Sequence, residues 1–387
     1  MLRVAIINTF DAKDRQAWAG IPFYVFMMIQ RLPGISVEVI VAPELNRNLF
    51  SLLKGFILNK ILRRRYYTWA DEAFLRQNKK NYADKVKTDY DLIITFQFYL
   101  VDLLKTSSNK LIYWNDATFK NLIGFYAGYS NLAKYTIQNG HSIQRKAFEL
   151  SDAIIFSSDW AIQTAQSYYR IEANKLYKIP FASNLTYTPP HEEVKKIIET
   201  RSYDPIIFLF LAGDWVRKGG NEAVKLINSL NNKGYASELY VVGCNVPQEF
   251  KENQSIRSFG YINKNSKDGE LEMIKMFEKS SFLILPTKAD CTPVAFSEAN
   301  SFGLPVITTN IGGISSVISN DVNGRYFEIS NFAELAETYI VENLPGTPSY
   351  KDLCYSSFKF YNENLSWAQV EHKFNKIARE LTSSVTH

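Results

Sequence analysis

The residues of this chain best suited to chemistry are cations, glycines and acids clustered at three turns in its second half. The first turn, Gly213-Asp214-Trp215-Val216-Arg217-Lys218-Gly219-Gly220, sets two cations beside two glycines just ahead of a predicted helix. Glycine lets a backbone approach a ligand closely, and Arg or Lys neutralises phosphate charge, so the turn reads as a diphosphate clamp. A solvated basic turn is the competing reading. The second turn is Asp290-Cys291-Thr292-Pro293-Val294-Ala295-Phe296-Ser297-Glu298. Thr292 suits an N-cap and Pro293 the first helical position, which leaves the N–H groups of Val294 and Ala295 for an anion. Asp290 ahead of the helix and Glu298 one turn along it offer acceptors for sugar hydroxyls. The third turn, Thr309-Asn310-Ile311-Gly312-Gly313, carries a glycine pair that either closes over a sugar or makes a tight bend.

The first half offers fewer candidates. Trp114-Asn115-Asp116-Ala117-Thr118 follows a predicted strand, and Asp116 there would orient or deprotonate an acceptor hydroxyl, or simply cap a turn. His141 is expected at the start of a helix, as a cap in preference to a catalytic base. Asp89-Tyr90-Asp91 falls at the N-terminal end of its strand, the wrong edge of a parallel sheet for a ligand. No metal and no cofactor beyond the substrates is therefore expected.

The elements that position these residues follow from hydrophobic patterning. Continuous apolar runs recur at 3–7, 37–42, 92–96, 110–114 and 153–157, then at 206–212, 238–243, 282–286 and 305–308. Runs without polar alternation mark strands covered on both faces, as in parallel sheets. Helical period appears at 219–232, 270–279, 293–302 and 331–343, the last opening with Asn331 and Glu334 at capping-box spacing. This alternation predicts an α/β chain of two doubly wound, Rossmann-like domains, 1–188 and 189–365, with the Pro-containing stretch 186–203 as linker. In such sheets ligands sit outside the carboxyl ends of the strands, where all three turns lie.

Composition limits the reading further. A chain of 387 residues suits two domains, and 46% hydrophobic residues are ample for their cores. The net charge of +5 is too small for a dedicated nucleic-acid binder and suits phosphates or an anionic membrane. Cys244, Cys291 and Cys354 form no CxxC pair, which points to a reducing, cytoplasmic setting. No apolar run has the length of a signal core or a bilayer span. The segment 54–80 places Arg63, Arg64 and Arg65 beside Ile57, Leu58, Ile61, Leu62, Tyr66, Tyr67 and Trp69. It reads either as a peripheral contact with the anionic inner face of a membrane, favouring a lipid-linked acceptor, or as a covering helix pair with a solvated basic edge.

In order, Arg217-Lys218-Gly219, Val241-Val242-Gly243, Asp290 with Glu298, Glu298-Ala299 through Gly303-Leu304-Pro305-Val306-Ile307, Gly312-Gly313 and Asn323-Gly324 resemble the C-terminal domain of the family 4 retaining glycosyltransferases (glycosyl transferases group 1), which have the GT-B fold. Ala19-Gly20-Ile21-Pro22 and Ser151-Asp152-Ala153-Ile154-Ile155-Phe156-Ser157-Ser158 resemble its N-terminal domain more loosely. The resemblance implies two domains facing across a cleft, with the last helix (366–387) crossing back to the first. It implies that Lys218 holds the donor diphosphate with help from Arg217, that Glu298 binds the ribose, that Asp290 meets the transferred sugar or its developing positive charge, and that Gly20 leaves room for the distal phosphate. Departures are Asp290 for the usual glutamate, Asp214 for an arginine, Pro293 for a glycine, and Ser315 and Ser316 for proline and glutamate. They bear on donor identity more than on the reaction. The expected activity is transfer of a hexose or related sugar from a nucleotide diphosphate to a saccharide or lipid-linked acceptor, in polysaccharide or glycolipid synthesis. A sugar-nucleotide epimerase of similar architecture and a non-catalytic sugar-nucleotide-binding protein are the alternatives.

Overall fold

The structure, a computed structural model, describes residues 1–47, 49–86 and 89–383. The first series of strands is β1 (Leu2–Asn8), β2 (Ile35–Val41), β3 (Leu92–Thr95), β4 (Lys110–Asn115), β5 (Ala153–Phe156) and β6 (Leu176–Lys178). The second is β7 (Ile206–Leu211), β8 (Ser237–Val242), β9 (Ile256–Gly260), β10 (Phe282–Leu285), β11 (Val306–Thr309) and β12 (Gly324–Phe327). They form two sheets, ordered β2-β1-β3-β4-β5-β6 and β12-β11-β10-β7-β8-β9, and the pairing is parallel in both. Each order reverses once, between β1 and β3 and between β7 and β10. At a reversal the flanking connections leave in opposite directions and open a crevice at the carboxyl ends, where ligands bind.

The interior strands form where the apolar runs predicted them, because helices cover both faces. Every residue of β3, β5, β10 and β11 is buried. Leu209, Leu283 and Ile307 are fully buried, and burying a side chain of this size is worth roughly 1.5–3 kcal/mol. Three edge strands, β6, β9 and β12, escape the sequence pattern. The central residues of β9 are exposed, so nothing required an apolar run there.

The chain divides into two compact units, Met1–Ile179 with the segment from Glu371 onward, and Pro180–Val370. The division falls before residue 188, and the stretch 186–203 is not a bare linker: it holds the helix His191–Thr200, whose Val194, Ile197 and Ile198 enter the second core. The final helix, Trp367–Ser383, starts in the second unit and passes to the first, where Phe374 stacks on Trp114 at 5.9 Å.

Buried Arg201 fixes two helix ends of the second unit. Its guanidinium donates to the carbonyls of Glu278, Phe302 and Gly303 at 3.1–3.3 Å, so a cation meets carbonyls that the helices Lys267–Lys279 and Val294–Ser301 leave unpaired. The predicted capping box at Asn331 does not form. Asn331 precedes the helix Phe332–Glu342 with φ −121° and ψ 19°, and its side chain makes no cap bond. A cap needs extended backbone to aim the side chain at the first turn.

Candidate functional site

The reversal between β7 and β10 brings together residues far apart in sequence. β7 ends at Leu211, and the following turn leads into the helix Gly220–Asn232. Gly219 adopts φ 78°, and a Cβ there would lie 2.0 Å from the Pro286 carbonyl oxygen just past β10, so only glycine fits. Gly220 likewise carries the buried Trp215 ring against its backbone. This close approach is locked by Lys288 N–H donating to the Arg217 carbonyl at 2.7 Å.

The same contact aligns the charges. The Lys218 ammonium donates to the Asp290 carboxylate, and both residues are at least 90% buried. The Arg217 guanidinium lies 3.6 Å from Asp290 and donates to the Ala289 carbonyl at 2.9 Å. Asp214, which stands where the resembling family often has arginine, accepts from the Arg217 backbone N–H at 3.0 Å. The Asp214 carboxylate also lies 3.7 Å from the Arg217 guanidinium, so Arg217 stands between two acids while Lys218 is held by Asp290 alone. The helix that follows Asp290 starts one residue later than predicted: Pro293 is its N-cap and Val294 its first residue, with Thr292 buried just ahead. Its first-turn amides, Val294 included, precede the hydrogen-bonded ladder.

Glu298 sits on the buried side of this helix, 1% exposed, and accepts from Lys264 Nζ at 2.5 Å. Lys264 lies in the loop after β9 and carried no signal in the sequence, since neither periodicity nor glycine spacing marks it. Gly312, at φ 60°, and Gly313 turn the chain after β11 into a short helical turn, Ile314–Ser316. The Asn323-Gly324 pair does structural work. Asn323 donates to Asn300 and the Val317 carbonyl, and Gly324 packs where a Cβ would strike the Val306 carbonyl at 2.1 Å.

In the first unit Gly20 is the left-handed residue (φ 84°) that opens the helix Ile21–Gln30. Trp18 and Ala19 before it also have positive φ, so the loop is tightly wound. At the β1–β3 reversal Asn8 accepts from the Phe96 N–H at 2.9 Å, and beyond it opens a pocket of about 390 Å³. Trp18, Trp69, Gln97, Tyr99 and Asp116 are among its lining residues. Asp116 is half-buried, its N–H held by the Asn115 side chain at 2.9 Å. Gln97 bridges Thr9 and Tyr99. The pocket thus joins aromatic faces to hydrogen-bonding groups, which suits a sugar or another polar ring.

Two other candidates are structural. His141 is not at a helix start but within Lys134–Leu150, where its Nδ1 meets Tyr169 Oη at 2.8 Å. Burial, with Lys120 and Arg145 nearby, lowers its pKa to about 4. Asp91 accepts from the Arg3 N–H at 2.7 Å, and Asp89 pairs with Arg3 at 3.5 Å, so this acidic pair ties β1 to β3 at the edge away from the pocket.

Residues 191–341 match the family model described as glycosyl transferases group 1. In fold, a sucrose-phosphate synthase from Thermosynechococcus elongatus superposes with a TM-score of 0.68 at 14% identity, covering 99% of this chain and 100% of that one. A glycosyltransferase from Rickettsia africae does so with a TM-score of 0.65 at 18% identity, covering 98% of both. The Anabaena protein HepE, in complex with UDP and glucose, gives 0.59 at 12% identity over 97% of this chain and 99% of its own. The fold is GT-B. Among curated sequences, an uncharacterised protein of the cps region of Klebsiella pneumoniae is 22% identical over 235 residues, 59% of this chain and 63% of its own length. The GT-B chain described above thus spans less than two thirds of that relative.

Proposed function

We propose that this protein is a retaining glycosyltransferase of family 4 type, which moves a hexose or related sugar from a nucleotide diphosphate to an acceptor hydroxyl. The observation that carries the reading is the Arg217–Lys218–Asp290 cluster at the β7–β10 reversal, beside a helix start. The hard step in such a transfer is departure of the nucleotide diphosphate. The bond from the anomeric carbon to the distal phosphate oxygen breaks, and the pair of electrons stays with the phosphate. Arg217, Lys218 and the helix-start amides are fixed donors for that charge, the kind of preorganised group whose loss costs about 10²–10³ in rate. Glu298 accepts from the ribose hydroxyls and Asp290 faces the transferred sugar as positive charge develops on it. In the first unit, Gly20 gives the distal phosphate room, and Asp116 orients the acceptor hydroxyl. With retention, the new bond forms on the face the phosphate leaves, and the acceptor proton passes to the departing phosphate oxygen. HepE, solved with UDP and glucose, supports a nucleotide sugar as donor.

Cys244, Cys291 and Cys354 form no disulfide, in keeping with work in a reducing cytoplasm. Among the described residues no helix is long and apolar enough to cross a membrane.

The test is a thermal-shift panel of uridine, guanosine and adenosine diphosphate sugars, because a ligand of the folded state raises the melting temperature. One base class is expected to stabilise the wild-type protein, and Lys218→Ala to abolish the shift and reduce transfer by about 10²-fold or more. If none of the panel shifts the protein, or if Lys218→Ala responds as wild type, the reading fails.

A further inference from the structure

The segment 54–80 splits in two. Tyr66, Ala70, Phe74 and Leu75 are buried in the first core and cannot meet a membrane. The part ahead of them is the reverse. A continuous helix runs through Leu49–Phe56 and a π-helical turn, Ile57–Ile61. Its inward stripe is Ser51, Lys54, Gly55 and Leu58, spaced three and four apart, while Leu49, Phe50, Leu52, Leu53, Phe56 and Ile61 are each more than half exposed. The helix is therefore amphipathic in the wrong sense for water, with small and charged groups packed inward and its apolar face outward.

The inward contacts hold it in that orientation. Lys54 Nζ donates to Asp71 Oδ2 at 2.8 Å and lies 3.2 Å from the centre of the Tyr135 ring. Tyr66 and Tyr135 donate to the same carboxylate. Burial pushes the Asp71 carboxyl up, but these hydrogen bonds and one from the Phe74 N–H outweigh it and hold it below the ordinary value. The basic turn after the helix is also pinned. Arg65 N–H donates to the Asn131 carbonyl and Ala133 N–H to that of Arg65, while the Arg64 and Arg65 guanidinium groups donate to Asn131 and the Ala127 carbonyl. Lys60, Arg63, Arg64 and Arg65 are exposed and have no carboxylate partner among the described residues. Six cations and no acid lie between Arg47 and Arg65, in a chain whose whole net charge is +5.

We propose that the helix Leu49–Ile61 and the turn Leu62–Arg65 form a docking surface for an anionic bilayer. The charge decides the occupant: a second copy of this chain would bring the same unbalanced cations face to face, and a nucleic acid would leave the apolar face wet. An interface of negative headgroups over acyl chains satisfies both halves. The surface also leads towards the acceptor pocket. A second pocket, of about 370 Å³, opens under this helix between Leu52, Phe56 and Tyr67, and Trp69 lines both it and the pocket beside Asp116. Trp69 itself is stacked between Tyr67 and Tyr99, with ring centroids at 5.3 and 5.8 Å. Docking therefore brings bilayer lipids beside that pocket, whatever reaction the second unit performs.

The test is cosedimentation of the full chain with phosphatidylcholine vesicles, with and without phosphatidylglycerol. Wild type is expected in the pellet only with phosphatidylglycerol. Replacing the exposed Phe50, Leu53 and Ile61 together by serine should reduce binding at least ten-fold. Lys60→Gln with Arg63→Gln should reduce it about 25-fold, at roughly five-fold per cation. The nucleotide-sugar thermal shift should be the same in wild type and both variants, which reports an intact fold and stands or falls apart from docking. Wild type that ignores phosphatidylglycerol, a serine variant that pellets like wild type, or a dimer in light scattering that the serine variant dissolves, would each overturn the proposal.

Discussion

Asp290 holds a buried cation in the structure and has a second duty in the proposed reaction, and one substitution separates the two. It compensates Lys218, a cation that is only 9% exposed, and lies 3.6 Å from Arg217. In the proposed reaction the same carboxylate steadies positive charge on the sugar. Asp290→Asn keeps the shape but frees Lys218 for phosphate, while Arg217 keeps its pairing with Asp214. Nucleoside diphosphate alone should then bind as tightly as before or several-fold more tightly, since an attached carboxylate no longer competes, while the turnover number should fall about 10²-fold or more. Calorimetric binding alongside steady-state kinetics reads both, and a parallel loss of affinity and turnover would reduce Asp290 to a scaffold. At this scale the sequence was informative where chemistry dictates residue type. The Arg-Lys-Gly turn was marked by glycine and charge, with a solvated basic turn as the competing reading, and Asp290 and Glu298 by their place in a strand–loop–helix turn more than by their spacing; the fold sets Lys218 against Asp290. Lys264 was not marked, because its role exists only through a contact with Glu298 that spans 34 residues.

The turn before the helix Gly220–Asn232 is where an element, more than a side chain, makes the site. Lys218 reaches Asp290 because the backbone at Gly219 presses against Pro286, with φ 78° and no room for a Cβ. Gly219→Ala must both adopt the left-handed conformation, at about 1 kcal/mol or more, and push two backbones apart. We expect a loss of about 2–4 kcal/mol in chemical denaturation, and a loss of donor-induced stabilisation even where the variant stays folded. A variant as stable as wild type would mean that the turn is not held against β10. Gly213, where a Cβ would meet nothing within 4 Å, is the internal control. Element by element, sheet interiors were legible because burial on both faces enforces continuous Ile, Leu, Val and Phe. The edges were not. Leu176-Tyr177-Lys178 and Ile256-Arg257-Ser258-Phe259-Gly260 are only half-buried or exposed and needed no such run. The helix at His191–Thr200 hid behind Pro189-Pro190, which read as a linker although Pro190 serves as its N-cap.

Over the whole molecule, each unit carries its own hydrophobic core, one drawn from Ala5 to Tyr169 and the other from Leu185 to Leu365. The proposed donor-gripping residues, Gly20 apart, all belong to the second. Ligand linkage turns this distribution into a measurement. A donor at a hundred times its dissociation constant stabilises the state that binds it by about 2.7 kcal/mol, which slows exchange through global opening about 100-fold. Where two cores open separately, only the one that holds the ligand gains that protection. Hydrogen exchange with saturating nucleoside diphosphate should therefore slow β7, β8, β10 and β11 far more than β3, β4 and β5. Protection confined to the three turns would mean that exchange there proceeds by local fraying. Equal protection of both sheets would mean that the helix Trp367–Ser383, which passes from one unit to the other, couples the two cores into one cooperative body. Repeating the exchange with Trp367→Ala, which removes the indole N–H donating to the Ser183 carbonyl at 2.7 Å, separates these outcomes. If the helix is the coupling, weakening its root should return the first sheet to its unliganded rate and leave the second protected.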